Sequence, residues 1–263
     1  MRNIRTLVVA LAGALAVYTG AARAATDYTD IWWVPAESGW GVNLVQNGDT
    51  IFATWFIYNV DGAPTWYVAA LKRDVNGNFI GDVAEAKGTF FASPWVPGNA
   101  SGKIVGSATF APSTLNAYQG TLAYTITNVG AATKSIERQT LAPITLTGTF
   151  AGGQSGAYSG CSVPGNNFAY IDRYDLVVTQ PSASTLKLQF NFTSNLACSF
   201  TGTLEQHGTQ FNMTNATYVC SNGLNTKATV SEVRRTAAGI EGKFVAPNVG
   251  SNCKETANFA AAL

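Results

Sequence analysis

Charge is what this chain has least of. Asp, Glu, Lys and Arg make up 12% of its 263 residues, with a formal net charge of +1, about half the usual charged share. No Lys/Arg cluster interleaves with the aromatics, so there is no electrostatic basis for binding nucleic acid or for a general attraction to an anionic membrane. Histidine is almost missing too. His207 stands alone, in the turn-like Gln206-His207-Gly208, a poor place to hold a histidine of a Ser-His-Asp set. There is no Cys-x-x-Cys, His-Glu-x-x-His, Gly-x-Ser-x-Gly elbow, phosphate loop or dinucleotide fingerprint. No metal and no cofactor is therefore expected. Beyond the N-terminal leader, no window has helical periodicity, which leaves the all-β class.

The leader itself is well marked. Met1–Arg5 is a basic head, an apolar run follows, and Ala22-Arg23-Ala24 supplies a small-residue cleavage site, so residues 1–24 are predicted to be a secretory signal peptide. The apolar part is too short for a membrane span. The mature chain is expected to be exported, periplasmic or secreted. Cys161, Cys198, Cys220 and Cys253 all follow residue 160, an even number that predicts two disulfides in an exported chain. Three connectivities are open, and Cys161–Cys198 with Cys220–Cys253 is the expected one.

All six tryptophans precede residue 100, so the two halves look differently stabilised. The reading is a Trp-rich β-barrel domain at 25–147, a Gly-rich linker at 148–156 and a disulfide-containing β domain at 157–263. In the first half, Asn47-Gly48, Asp61-Gly62 and Asn76-Gly77 are hairpin signals at nearly even spacing. The runs between them are rich in aromatic and β-branched residues, and Thr50–Tyr58 is apolar on both alternations, which predicts a strand covered on both faces. Such a meander closes as a barrel. In the second half, Leu186, Leu188, Phe190 and Phe192 alternate with Lys187, Gln189 and Asn191, a half-buried antiparallel pattern. It is read as a disulfide-stapled β-barrel or sandwich.

Residues 31–41, IWWVPAESGWG, hold three of the tryptophans around one acid. Trp32, Trp33, Glu37, Trp40, Tyr58, Trp66 and Tyr67 form the candidate ligand-binding set, because flat aromatic faces stack on sugars or enclose apolar ligands. Trp55 and Trp66 are expected in the core, and Trp33 and Trp40 are expected to be packed as an end plug. Glu37 is expected to be a solvated or hydrogen-bonded loop residue; burial among rings would instead raise its pKa and make it a general acid. Polysaccharide hydrolysis would then need Asp49 or Asp61 as the second carboxylate. If the first domain closes, Arg138 falls beside the first strand as a structural latch over an indole face. That layout resembles the end-closing Trp–Arg pair of lipocalin- and avidin-like barrels.

The run IWWVPAESGWGVNLVQNGDTIFATWFIYNVDGAPTWYV, followed by GSATF, GTLAYTI and KSIERQ, resembles a β-unit of uncharacterised exported proteins of proteobacteria with a WW-x-P-x-ESGWG motif. The resemblance spans about residues 28–142 and departs at Val34, where Asn is the usual residue. It implies export and a β-fold, and no catalytic residues. The functional expectation is an exported non-catalytic binding protein for a glycan or small apolar ligand. The alternatives are an envelope protein-interaction module or enzyme inhibitor, and less favoured, a hydrolase using Glu37.

Overall fold

The computed structural model describes residues 26–263; the expected signal peptide lies outside the described residues. The first eight strands are β1 (Asp30–Trp33), β2 (Gly41–Asn47), β3 (Thr50–Tyr58), β4 (Pro64–Arg73), β5 (Phe79–Lys87), β6 (Ser101–Pro112), β7 (Gln119–Ile126) and β8 (Gly130–Arg138). Each pairs antiparallel with the next, and β8 returns to β1 to close the barrel. Gly48, Gly62 and Gly77 take the positive φ that their tight turns require, which is why the Asx-Gly dipeptides mark these corners. In an up-and-down barrel the connections alternate between two ends. The β1–β2, β3–β4, β5–β6 and β7–β8 connections share one end. The other three, with the chain's entry and exit, share the opposite end.

The barrel has one interior, and alternation decides what enters it. Leu44, Ile51, Ala53, Trp55, Leu71, Phe79 and Phe110 point in and are buried. Phe52, Phe56 and Trp66 stay exposed. The doubly apolar Thr50–Tyr58 is therefore covered on one face only, and Trp66 is not a core residue. Among the described residues no second layer packs on this wall, and the opposite alternation of β3 and β4 is exposed.

The second domain comprises β9 (Gly148–Ser159), β10 (Ala169–Ser182), β11 (Thr185–Phe192), β12 (Ala197–Thr203), β13 (Glu205–His207), β14 (Gln210–Cys220), β15 (Asn225–Arg235), β16 (Gly239–Val249) and β17 (Cys253–Ala262). β9 lies between β10 and β17, and pairing of β12 with β14 closes a second antiparallel barrel, with the short β13 added beside β14. The protein is thus all-β, and the second domain is a barrel rather than a sandwich.

Two expectations are corrected here. The Gly-rich 148–156 stretch is not a linker; it is most of β9. A Cβ on Gly152 would sit 2.1 Å from the Ala260 carbonyl oxygen, and one on Gly156 2.5 Å from the Tyr170 ring. Glycine here permits close strand approach. The join between barrels is residues 139–147. The disulfides are Cys161–Cys253 and Cys198–Cys220, not the sequential pairs. Cys198 and Cys220 face each other across the β12–β14 seam. Cys161 just follows β9, whose neighbour β17 begins at Cys253. Pairing of the first and last strands, β9 and β17, brings Cys161 to Cys253, and the β12–β14 pairing brings Cys198 to Cys220. Two such cross-links place the folded chain in an oxidising, exported setting.

Candidate functional site

The tryptophan-rich entry does not form one site. It is divided between the two ends of the first barrel. Trp32 is fully buried at the end nearer the second domain, where its ring meets Phe110 edge-on and Tyr28 packs on Phe79 and Phe110. Its Nε1–H donates to the Tyr28 carbonyl at 3.0 Å. Trp32 and Arg138 are opposite each other in the β1–β8 pairing, and the guanidinium lies 5.0 Å from the ring centroid. Arg138 is 2% exposed. It donates to Asp30 Oδ2 at 3.1 Å and to the carbonyls of Thr29, Ala117 and Asp27. A buried guanidinium needs that many acceptors. This end is sealed. The plug is Trp32, whereas Trp33, half-buried opposite Glu137, and Trp40, also half-buried, are less enclosed.

The second domain covers the sealed end. Asp30 Oδ2 also accepts from the backbone N–H and the hydroxyl of Thr209, both at 2.9 Å. Arg234 pairs with Asp27. Burial pushes the Asp27 carboxyl up, but hydrogen bonds from Thr29 and the Arg234 guanidinium outweigh it and hold it below its ordinary value. His207 is used here. Its ring stacks on Tyr118 at 3.6 Å and 3°, and burial lowers its pKa despite Glu205 nearby. The turn histidine is a docking residue between barrels.

The opposite end is open. A cleft of about 240 Å³ is lined by Glu37, Trp40, Trp55, Ile57, Tyr58, Tyr124, Ile126, Val129 and Lys134. Glu37 accepts from Lys134 Nζ at 2.5 Å and from Trp40 Nε1 at 2.9 Å, and Lys134 sits 5.0 Å above the Trp40 ring. A charged pair thus lies along an aromatic wall. The Lys134 hydrogen bond, then that from Trp40, lowers the Glu37 pKa, and the side chain is exposed. Glu37 is thus an exposed, hydrogen-bonded loop acid and not a buried, raised carboxyl: an acid held ionised is a poor general acid. Asp49 lies at the β2–β3 turn, at the other end, paired with Arg73. Asp61 is at the Glu37 end, where its carboxylate accepts from the Ala63 N–H within its own turn.

Trp55 is 1% exposed and lines this cleft, and its Nε1–H has no hydrogen-bond partner among the described residues. A buried donor left unpaired carries a penalty that an incoming acceptor would remove. Of the expected binding set, the structure brings Glu37, Trp40 and Tyr58 to the cleft. Trp32 belongs to the sealed end, Trp66 to the outer wall, and Tyr67 packs half-buried against the core. Lys134 and Tyr124 escaped the sequence reading. The signal for Lys134 was present: it shares the inward alternation of β8 with Ile136 and Arg138.

The second barrel holds another unforeseen group. Glu255 is 2% exposed and accepts a hydrogen bond from the Tyr170 hydroxyl. Burial pushes its carboxyl pKa up, against lowering by Tyr170, Tyr158 and Tyr218. Burial together with Glu255 pushes the three phenols up in turn, so they stay protonated donors. Among the described residues no group of three or more His, Cys, Asp or Glu is placed to hold a metal ion, and no helix is long and apolar enough to cross a membrane.

No protein-family model matches the sequence, and no curated protein matches it. Among solved structures the chain is similar to a double mutant of the vaccine antigen transferrin binding protein B from Haemophilus parasuis Hp5, at 12% identity and a TM-score of 0.32. The match covers 85% of this chain and spans 60% of that one.

Proposed function

We propose that this is an exported, non-catalytic binding protein whose site is the open end of the first barrel. The observation that carries the reading is the unpaired Trp55 Nε1–H in a cleft walled by Trp40, Tyr58 and Tyr124. A ligand with one acceptor and one flat or apolar face fits that chemistry: the acceptor takes the Trp55 proton and the face lies on the rings. The Glu37–Lys134 pair at the rim offers both a hydrogen-bond acceptor and a donor, as a sugar hydroxyl requires. A volume of about 240 Å³ is below the range of drug-sized sites, so it takes one sugar ring or a short apolar chain. The resemblance of residues 28–142 to exported β-units is consistent with such a role. The periplasm and the exterior are both compatible with it.

The test is a tryptophan-fluorescence titration of the processed chain against soluble oligosaccharides and medium-chain fatty acids. A saturable change is expected in the wild type, weakened in Trp55→Phe and in Lys134→Met. No change with any ligand of either class would remove the proposal. A second reading, a protein-interaction module, is favoured by the exposed Phe52, Phe56 and Trp66 on the β3–β4 wall, since contiguous apolar surface marks interaction sites. Pull-down from envelope extract, repeated with Phe52→Ser and Trp66→Ser, separates it from the first. The hydrogen bonds from Lys134 and Trp40 lower the Glu37 pKa, which argues against Glu37 as the general acid of a hydrolase.

A further inference from the structure

The β5–β6 connection, GTFFASPWVPGNA over residues 88–100, is an apolar protrusion. It has no charged residue, yet Phe90 is 75%, Phe91 101% and Trp95 65% exposed. Three large rings mostly exposed to water need a reason.

The loop is built rather than slack. Thr89 Oγ1 donates to the Val96 carbonyl and accepts from the Val96 N–H, both at 3.0 Å, which staples the loop's base. Ser93 N–H donates to the Phe90 carbonyl at 2.9 Å, and Pro97–Asn99 form a short 3-10 turn. Pro94 and Pro97 restrict the backbone further. The rings are therefore presented outward by a shaped tip with much of its backbone hydrogen bonding met internally. Val60, 98% exposed, projects from the β3–β4 turn at the same end.

The stem supplies charge. Lys87 ends β5 and Lys103 lies near the start of β6, across from Glu85 in the β5–β6 register; both lysines are exposed, neither forms an ion pair among the described residues, and two lysines against one glutamate leave the stem net positive. A tip of Phe and Trp above a collar of lysine matches the layering of a bilayer interface. Phe enters the acyl boundary, the Trp ring with its N–H sits at headgroup level, and lysine reaches the phosphates. The tip is convex, so it suits a fluid surface that closes around it. Net charge of the whole chain provides no long-range pull, which leaves aromatic insertion as the main drive and the lysine collar as a local supplement.

We propose that the β5–β6 loop docks this protein onto a phospholipid bilayer surface, inserting Phe90, Phe91 and Trp95 while Lys87 and Lys103 meet anionic headgroups. The inference rests on the loop alone and does not depend on the cleft holding a ligand.

The experiment is flotation of the processed chain with phosphatidylcholine vesicles, with and without added phosphatidylglycerol. The wild type is expected to float with both, more strongly with phosphatidylglycerol. Phe90→Ser/Phe91→Ser should lower the partition coefficient at least about tenfold on both, as removal of inserted apolar area requires. Lys87→Gln/Lys103→Gln should lose about tenfold on the mixed vesicles and little on phosphatidylcholine alone. Because these side chains are exposed, all variants should melt with the wild type, and the fluorescence titration of the cleft should be unchanged. A wild type that stays with the unbound protein would overturn the proposal. So would a Phe90→Ser/Phe91→Ser variant that floats as well as the wild type, or retention by an envelope protein with none by protein-free vesicles.

Discussion

The two barrels share an eight-stranded antiparallel plan and lock their closing seams by opposite means. In the first, β1 meets β8 over only Trp32–Arg138 and Trp33–Glu137, and the seam is held by side chains: indole under guanidinium, guanidinium on Asp30. In the second, the first and last strands, β9 and β17, meet over nine residue pairs with Cys161–Cys253 cross-linking their end, and Cys198–Cys220 is one of the four pairs that join β12 to β14. The second barrel also buries a polar cluster around Glu255. The difference teaches that barrel closure is a local event at one strand pair, and that the rest of the meander follows from short turns.

That contrast can be broken one element at a time. The largest effect is expected from the cross-link with the longest loop. Removing Cys161–Cys253, 92 residues apart, with paired Ala substitutions should cost about 4–5 kcal/mol of the second barrel's stability, and removing Cys198–Cys220, 22 residues apart, about 3 kcal/mol on the same chain-entropy scale. Denaturant melts under reducing conditions should shift the second barrel's transition and leave the Trp-dominated transition of the first in place. Trp32→Ala should do the converse, destabilising the first barrel by about 3–5 kcal/mol. Arg138→Met should cost about 3 kcal/mol, because Asp30 is left buried without its cation.

Smaller effects sharpen the picture. Gly208 sits at φ 61° with Asp30 Oδ2 2.3 Å from where a Cβ would be, so Gly208→Ala should separate the two unfolding transitions by loosening the interface, costing about 1–3 kcal/mol. Glu255 sets a pH dependence. Its folded pKa is raised, so the stability tied to its protonated form is fully present below the ordinary carboxylate value and is lost as pH rises through the higher folded value. Glu255→Gln should abolish that loss, giving a second barrel more stable than wild type at neutral pH and equal to it in acid. The smallest effect should be Glu37→Gln, which leaves both melting transitions unchanged because the pair with Lys134 is at the surface.

Much of this was legible in the chain. The Asx-Gly dipeptides located the corners of the first barrel because each needs a positive φ that few residues supply. Arg138 could be placed against the first strand because closure of a meander leaves no other neighbour for its last strand. What was not legible depended on closure in three dimensions. Glycines 152, 153 and 156 look like a linker in a list of residues, and only the approach of β10 and β17 shows why side chains are excluded there. The disulfide partners were hidden for the same reason, since β9 and β17 are far apart in the chain and adjacent in the sheet. Three tryptophans within ten residues appeared to be one cluster. A four-residue strand followed by a loop carries Trp32 and Trp40 to different depths, one into a sealed end and one to an open rim.

The central claim is that the open end, and not the Trp32 end, is where this protein binds. The most direct test is to follow the six indole N–H resonances in a 15N-labelled chain beginning at Ala25 during titration with soluble oligosaccharides and medium-chain fatty acids. The account predicts that Trp55 and Trp40 shift together, Trp55 downfield as its unpaired N–H gains an acceptor, while Trp32 does not move. A ligand that shifts Trp32 and leaves Trp40 and Trp55 unmoved would contradict it.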